Sequence, residues 1–256
     1  MGQALIEAVL AADDLTLAGA LEISGSALLG RDAGERSGRA TGVKVTADIS
    51  AGVRDADVLI DFTRPEGTLA NLAACAAAKV GAVVGTTGLS AEDKETMRGF
   101  ARVIPIVFAP NMSVGVNVLI KLVEVAAQRL GDDYDVEIVE MHHRHKVDAP
   151  SGTALRLGEA AATALERNLE TVGVYARDGN TGERPRRAIG FASLRGGDVV
   201  GDHTVFFAGD GERLELTHRA GSRANFAQGA LRAARYVALK RNEPRIYDMQ
   251  DVLGLG

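Results

Sequence analysis

Apolar and polar positions alternate along the first half of the chain with two periods. Leu5, Ile6, Val9 and Leu10 recur at helical spacing and predict a helix at the very N-terminus. Residues 15–21 then read as a strand ending on Glu22, and Val58-Leu59-Ile60 as a second strand, stopped by Asp61 and Arg64-Pro65. A helix over 69–79 leads to a third strand, Ala82-Val83-Val84, which gives way to Gly85-Thr86-Thr87-Gly88. The next helix, 91–102, has Ser90 as its N-cap with Asp93 behind it. Residues 104–108 form a further strand ending on Ala109-Pro110-Asn111. Strand and helix repeated at this spacing mean right-handed crossovers and a buried parallel sheet. Ligands on such sheets sit outside the carboxyl ends of the strands.

The second half has a different pattern. A long helix (114 to about 130) precedes 136–141, where apolar and acidic residues alternate as in a half-buried strand. A helix over about 152–167 follows, then strand-like runs at 171–176, 188–194, 199–207 and 213–219. This predicts an α+β segment with an antiparallel or mixed sheet. The tail returns to helix over 231–240 and is expected to pack back on the first domain. The expected organisation is a dinucleotide-binding domain of residues 1–113 plus 224–256, and a substrate-binding and oligomerisation domain of residues 114–223.

Composition narrows the class without naming a chemistry. The 256 residues are 46% apolar and 25% charged, with a net charge of -5, which gives no reason to expect a nucleic-acid partner. The single cysteine, Cys75, excludes an internal disulfide and fits a reducing cytoplasm. Lys79, Lys121 and Glu124 interrupt the longest apolar stretches, so no membrane span is expected. Cys75 lies among alanines with no histidine nearby and reads as a core thiol rather than a nucleophile. Asp61 and Asp148 are open between strand-end or turn roles and catalysis, and His203 and His218 read as structural or surface residues.

A dinucleotide fold normally opens with a strand, a glycine-rich turn and a helix that receives the pyrophosphate. This chain opens at that helix, so the expected fold is a Rossmann-like domain lacking its first strand and glycine loop. Met1-Gly2 fits the end of such a turn, and the recorded start is expected to be internal to a longer protein. Glu22 follows Gly2 by 20 positions, about the spacing at which an acidic residue meets the ribose. A polar strand end explains Glu22 equally well.

Residues 140–154 carry the chemistry. Glu140-Met141-His142-His143-Arg144-His145-Lys146 gathers three of the five histidines with an arginine and a lysine, in a chain that is acidic overall. A metal site is disfavoured because adjacent strand side chains diverge. A solvated basic loop is a second reading. The third is a site that binds an anion and donates protons. Pro150-Ser151-Gly152-Thr153 opens a helix whose amides and dipole suit a carboxylate, Arg144 and Lys146 add positive charge, and a histidine titrates where proton transfer needs it. This third reading accounts for the most residues.

From Glu140 to Ala154 the chain resembles the signature of the 4-hydroxy-tetrahydrodipicolinate (dihydrodipicolinate) reductase family, with no break. Supporting motifs are Ile60-Asp61-Phe62-Thr63-Arg64-Pro65-Glu66, Gly85-Thr86-Thr87-Gly88, Asn111-Met112-Ser113-Val114-Gly115-Val116-Asn117, Ile189-Gly190-Phe191-Ala192 and Asp248-Met249-Gln250-Asp251-Val252-Leu253. The resemblance implies hydride transfer from NADH or NADPH to a cyclic dicarboxylate, with loss of water, in lysine and diaminopimelate biosynthesis. It implies His142 and Lys146 as proton donors, with His143, Gly152 and Thr153 on the substrate, to which the helix-start argument adds Ser151. The loops Gly85, Thr86, Thr87 and Ala109, Pro110, Asn111, Met112 correspond to cofactor contacts, alongside Met1 and Glu22. A homotetramer assembled through the second domain is implied too. Ile23 stands where NADPH-using relatives often carry an arginine, which favours NADH. Rival readings are another amino-acid-pathway reductase and a non-catalytic dicarboxylate sensor.

Overall fold

A computed structural model describes residues 1–255. In chain order the first elements are α1 (Gly2–Leu10), β1 (Ala20–Leu21), β2 (Val45–Thr46), α2 (Ile49–Val53), β3 (Val58–Asp61), α3 (Pro65–Ala78), β4 (Gly81–Val84), α4 (Ala91–Phe100), β5 (Ile106–Phe108) and α5 (Val114–Leu130). There follow β6 (Asp135–His142), α6 (Gly152–Ala164), the single-turn α7 (Leu169–Val172), β7 (Gly173–Val174), β8 (Ile189–Arg195), β9 (Gly201–Ala208) and β10 (Arg213–Ala220). The chain closes with α8 (Ala224–Leu239), β11 (Ile246–Tyr247) and α9 (Met249–Leu253). Two compact units result: Met1–Val114 with the chain from Ala224 onward, and Gly115–Arg223. Gly256, the end of the expected 224–256 segment, lies outside the described residues.

In the first unit all strand pairs are parallel, in two sheets: β1–β2, and a four-stranded sheet in the order β11–β5–β4–β3. Among the described residues no strand pairs with the outer edge of β3. Every residue of β4 is buried, as the central strand of a parallel sheet covered on both faces must be. One cluster joins Leu72, Cys75, Met97 and Ile106. Another sets Val83, Val107 and Met112 against Ala230, Ala233 and Val237 of α8, so this helix packs on the sheet. Ser90 and Asp93 form a full capping box at the start of α4.

The second unit holds a five-stranded mixed sheet in the order β10–β9–β6–β8–β7. β6 runs parallel to β8 and antiparallel to β9. Its Val136 and Ile138 meet Val205, Phe207, Ile189 and Phe191 in one core with Leu119, Val123, Leu157 and Ala161 of α5 and α6. This is the expected architecture: a Rossmann-like α/β unit and an α+β unit with a mixed sheet. No helix among the described residues is long and apolar enough to cross a membrane.

Two expectations need correction. The strand expected over 15–21 is reduced to Ala20–Leu21, because β2 offers only two residues for it to pair with. Residues 171–176 are not a continuous strand. Asn168 caps a helical turn there by accepting from the Glu170 amide at 2.9 Å, and only Gly173–Val174 pair with β8. The short β2, α2, β11 and α9 were not anticipated at all.

Gly229 of α8 shows how tightly the first unit is closed. A Cβ there would come within 1.7 Å of the Met112 carbonyl oxygen. Alanine normally favours a helix interior by about 1 kcal/mol over glycine, but this overlap is with backbone and no rotamer relieves it. Gly229→Ala is therefore expected to lower unfolding free energy by about 2 kcal/mol in a denaturant titration. A stabilised variant would show that the helix sits further from the Ala109-Met112 loop.

Candidate active site

The rungs of the mixed sheet assemble the site. Side chains two apart on a strand share a face, so Glu140 and His142 at the end of β6 point the same way. Glu140 pairs across the sheet with His203 on β9 and Ser193 on β8, and His203 pairs with His218 on β10. Two residues further on, His142 pairs with Arg195. Gly201 lies beside it, where a Cβ would come within 3.0 Å of His142 Nε2, so the absent side chain leaves room for the imidazole.

Glu140 is only 1% exposed. Its Oε2 contacts His142 Nδ1 at 2.6 Å and accepts from Arg195 Nη1 at 2.8 Å. Its Oε1 accepts from Arg195 Nη2 at 2.9 Å and from the Ser151 amide at 3.2 Å. Arg195 Nη2 also donates to the Asp148 carbonyl at 2.7 Å, tying the loop between β6 and α6 back to β8. Ser151 caps α6 by accepting from the Ala154 amide at 3.2 Å, and its buried hydroxyl lies 2.9 Å from His203 Nε2. Gly152 and Thr153 begin the helix, with no acidic side chain in its first turn.

Burial pushes the Glu140 carboxyl up, but the hydrogen bonds from Arg195, His142 and Ser193 outweigh it and hold the group below the usual carboxylate range. Burial, reinforced by His142, pushes His203 down to about 4, so it is neutral at pH 7. The Lys146 ammonium holds Asp148 low through hydrogen bonds of 2.8 Å to both carboxylate oxygens. Arg144 and His145 are exposed, whereas His143 Nδ1 is buried without a hydrogen-bond partner. No group of three or more His, Cys, Asp or Glu side chains suited to a metal occurs among the described residues.

The structure thus brings His142, His143, Lys146, Ser151, Gly152 and Thr153 together on the end of β6, the following loop and the start of α6. Sequence reasoning gave no role to Glu140 or Arg195 and read His203 as structural. The spacing of Glu140 and His142 on one strand face was a usable signal. The register that brings Arg195 and His203 beside them was not.

In the first unit the carboxyl ends of β3, β4 and β5 are aligned, since Asp61 pairs with Val84 and Val84 with Phe108. Asp61 is buried and accepts from the Thr63 amide at 2.8 Å, Asn71 Nδ2 at 3.2 Å and Thr86 Oγ1 at 3.5 Å, so it organises the loop ends. A Cβ on Gly85 would meet the Phe62 ring at 2.4 Å. Thr86 is buried and Thr87 exposed. The Ala109 amide donates to Val84 at 3.1 Å, Pro110 is exposed, Asn111 accepts from the Ser113 amide at 2.9 Å, and Met112 is buried. Met1 is the N-cap of α1 and makes no side-chain cap bond. Glu22 follows β1 with an exposed carboxylate that accepts from the Ile23 amide at 2.9 Å, and Ile23 is 75% exposed. Burial, with Asp61 nearby, pushes the Cys75 thiol up to about 12, in keeping with a core residue.

A parallel α/β unit with open strand ends, combined with an α+β unit bearing a proton-handling cluster, is the build of a two-domain oxidoreductase. Family profiles described as dihydrodipicolinate reductase, N-terminus and C-terminus, match residues 1–112 and 115–253. The chain belongs to the dihydrodipicolinate reductase family, whose members are NAD(P)H-dependent oxidoreductases. It is 57% identical over 255 residues to 4-hydroxy-tetrahydrodipicolinate reductase from Nitrosospira multiformis, covering 100% of this chain and 94% of that protein. Identity to the protein of that name from Thiobacillus denitrificans is 59%, with 100% and 95% covered. The solved dipicolinate-bound dihydrodipicolinate reductase from Paenisporosarcina sp. TG-14 shares the fold, with a TM-score of 0.73 at 23% identity over 98% of this chain and 94% of that one.

The neutral His203 makes stability depend on pH. Its folded value of about 4 lies below the ordinary 6.5, so between those values the unfolded chain binds a proton that the folded chain does not. Stability is therefore expected to fall as pH drops from about 6.5 towards 4, by up to about 3 kcal/mol from this residue. Denaturant titrations across that range should show a shallower slope for His203→Gln. Parallel curves would mean that His203 is charged in the fold.

Proposed function

We propose that this chain reduces 4-hydroxy-tetrahydrodipicolinate to tetrahydrodipicolinate, with loss of water, in lysine and diaminopimelate biosynthesis. The observation that carries the reading is the pairing of His142 Nδ1 with the buried Glu140 carboxylate beside the start of α6. It sets a proton donor next to backbone amides suited to a substrate carboxylate.

The second unit handles substrate and the first holds the cofactor. Gly152 and Thr153 offer their first-turn amides to one carboxylate, and His143 supplies a further polar contact. Ser151 acts by shaping this helix start, since its own hydroxyl is committed to the Ala154 amide and His203. His142 delivers its proton from Nε2. Lys146 Nζ has three N–H groups, of which two are directed at Asp148, leaving a third to serve as the second donor.

The donor set suits a dinucleotide: uncapped amides at the start of α1, an exposed carboxylate at Glu22 for a ribose hydroxyl, and aligned strand-end loops. Met1, Glu22, Gly85, Thr86, Thr87, Ala109, Pro110, Asn111 and Met112 would hold it. When bound, the reduced nicotinamide supplies the hydride. Ile23 brings no charge to a 2′-phosphate, which supports NADH as the preferred form. The sheet face away from α5 and α6 carries Val139, Met141, Ala192, Leu194 and Phe206, in support of a homotetramer formed through this unit. The lone, buried cysteine supports a cytoplasmic setting.

Steady-state assays with the aldol-derived substrate test this reading. His142→Gln and Lys146→Ala should each lower kcat by about 100-fold or more while NADH binding is retained. The unaltered chain should show a higher kcat/KM with NADH than with NADPH. Near-normal turnover in both variants would remove the proton-donor assignment, and equal or better use of NADPH would remove the cofactor preference.

A further inference from the structure

Glu140 lies too deep to touch a substrate, yet both of its carboxylate oxygens are hydrogen-bonded. Buried carboxylates need donors, because an unpaired charge out of water is costly. Here Arg195 provides two, the Ser151 amide one, and His142 Nδ1 stands at 2.6 Å. An ionised carboxylate only accepts hydrogen bonds. A ring nitrogen at that distance must then carry its hydrogen, because two lone pairs facing each other would repel. Nδ1 is therefore the donor in this contact, and Nε2 is left as the atom that gains and loses a proton. Nε2 lies over Gly201, at the one position of β9 where no side chain covers it.

A purely structural role for Glu140 would need only Arg195. Two further features point beyond that. The same carboxylate oxygen, Oε2, serves both Arg195 and His142, so the guanidinium fixes the oxygen against which the imidazole is aligned. Arg195 and the Ser151 amide also connect that carboxylate to the part of the loop that follows Lys146, through the Asp148 carbonyl and the start of α6. One buried group thus sets the ring orientation of one proton donor and the anchor points of the loop carrying the other.

We propose that Glu140, held by Arg195, is the positioning residue of this site: it fixes the tautomer and orientation of His142 so that Nε2 faces the reaction. The inference deepens the reading of His142 as proton donor and rests on it. Long-range nitrogen–proton NMR of the unaltered protein reads the tautomer directly, with His142 assigned by its loss in His142→Gln. The expected neutral form carries hydrogen on Nδ1, and a form with hydrogen on Nε2 overturns the inference even if no Glu140 variant folds.

Kinetics supply the second arm. Glu140→Ala should lower kcat by about 100-fold, and Glu140→Gln, which keeps an acceptor for Nδ1, by only about tenfold. KM for the dicarboxylate should move less than about threefold. The double variant Glu140→Ala/His142→Gln should be no slower than His142→Gln alone, because Glu140 acts through that ring. Losses that multiply, or a Glu140→Ala variant with normal kcat, would overturn the inference. Normal turnover in His142→Gln would instead overturn the donor assignment beneath it, while the NMR arm still reports on the tautomer.

Discussion

A carboxylate that is 1% exposed and still ionised places a strict demand on its surroundings, and most of the second unit's site can be understood as meeting that demand at Glu140. Donors must arrive from several elements at once. The neighbouring strand β8 contributes Arg195, the start of α6 contributes the Ser151 amide, and the last residue of β6 contributes His142. The parallel register of β6 and β8 brings Arg195 level with His142, two residues beyond Glu140. A slip of one residue would turn every one of these side chains to the other face. The hydrophobic core below, with Val136, Ile138, Val205 and Phe191, locks that register, so apolar packing and proton chemistry share the same strands.

The first unit follows the same principle with a shorter carboxylate side chain. Asp61 ends β3 and collects donors from its own loop, from α3 and from the loop after β4. The strand-end loops are therefore tied together before any ligand arrives. Gly85 packs against the Phe62 ring and Gly229 against the Met112 carbonyl, so missing side chains let the loops lie close to their neighbours. These features suit a nucleotide laid across strand ends. Membership of the dihydrodipicolinate reductase family gives both units one reaction to serve.

Local patterns were readable from the sequence, and long-range pairings were not. The alternation over 136–141 and the Ser151 helix start needed only neighbouring residues, and both hold. The capping box of Ser90 and Asp93 was legible for the same reason. Arg195 and His203 lie 55 and 63 positions from Glu140, and only strand register brings them to it. The β-branched Thr171 and Val172 suggested a strand, but the Asn168 cap turns them into helix, a case of local capping overriding propensity. Likewise the strand expected over 15–21 is limited by the length of its partner rather than by its own residues.

In the function proposed here, the end of β6 and the start of α6 form one dicarboxylate site, with protons supplied from the sheet and a carboxylate received by the helix. A crystal structure of this protein with dipicolinate tests it most directly. One carboxylate is expected on the Gly152 and Thr153 amides, with the ring within reach of His142 Nε2 and the bond between His142 and Glu140 intact. Dipicolinate bound away from the start of α6, or a His142 ring turned off Glu140 in the complex, would contradict it.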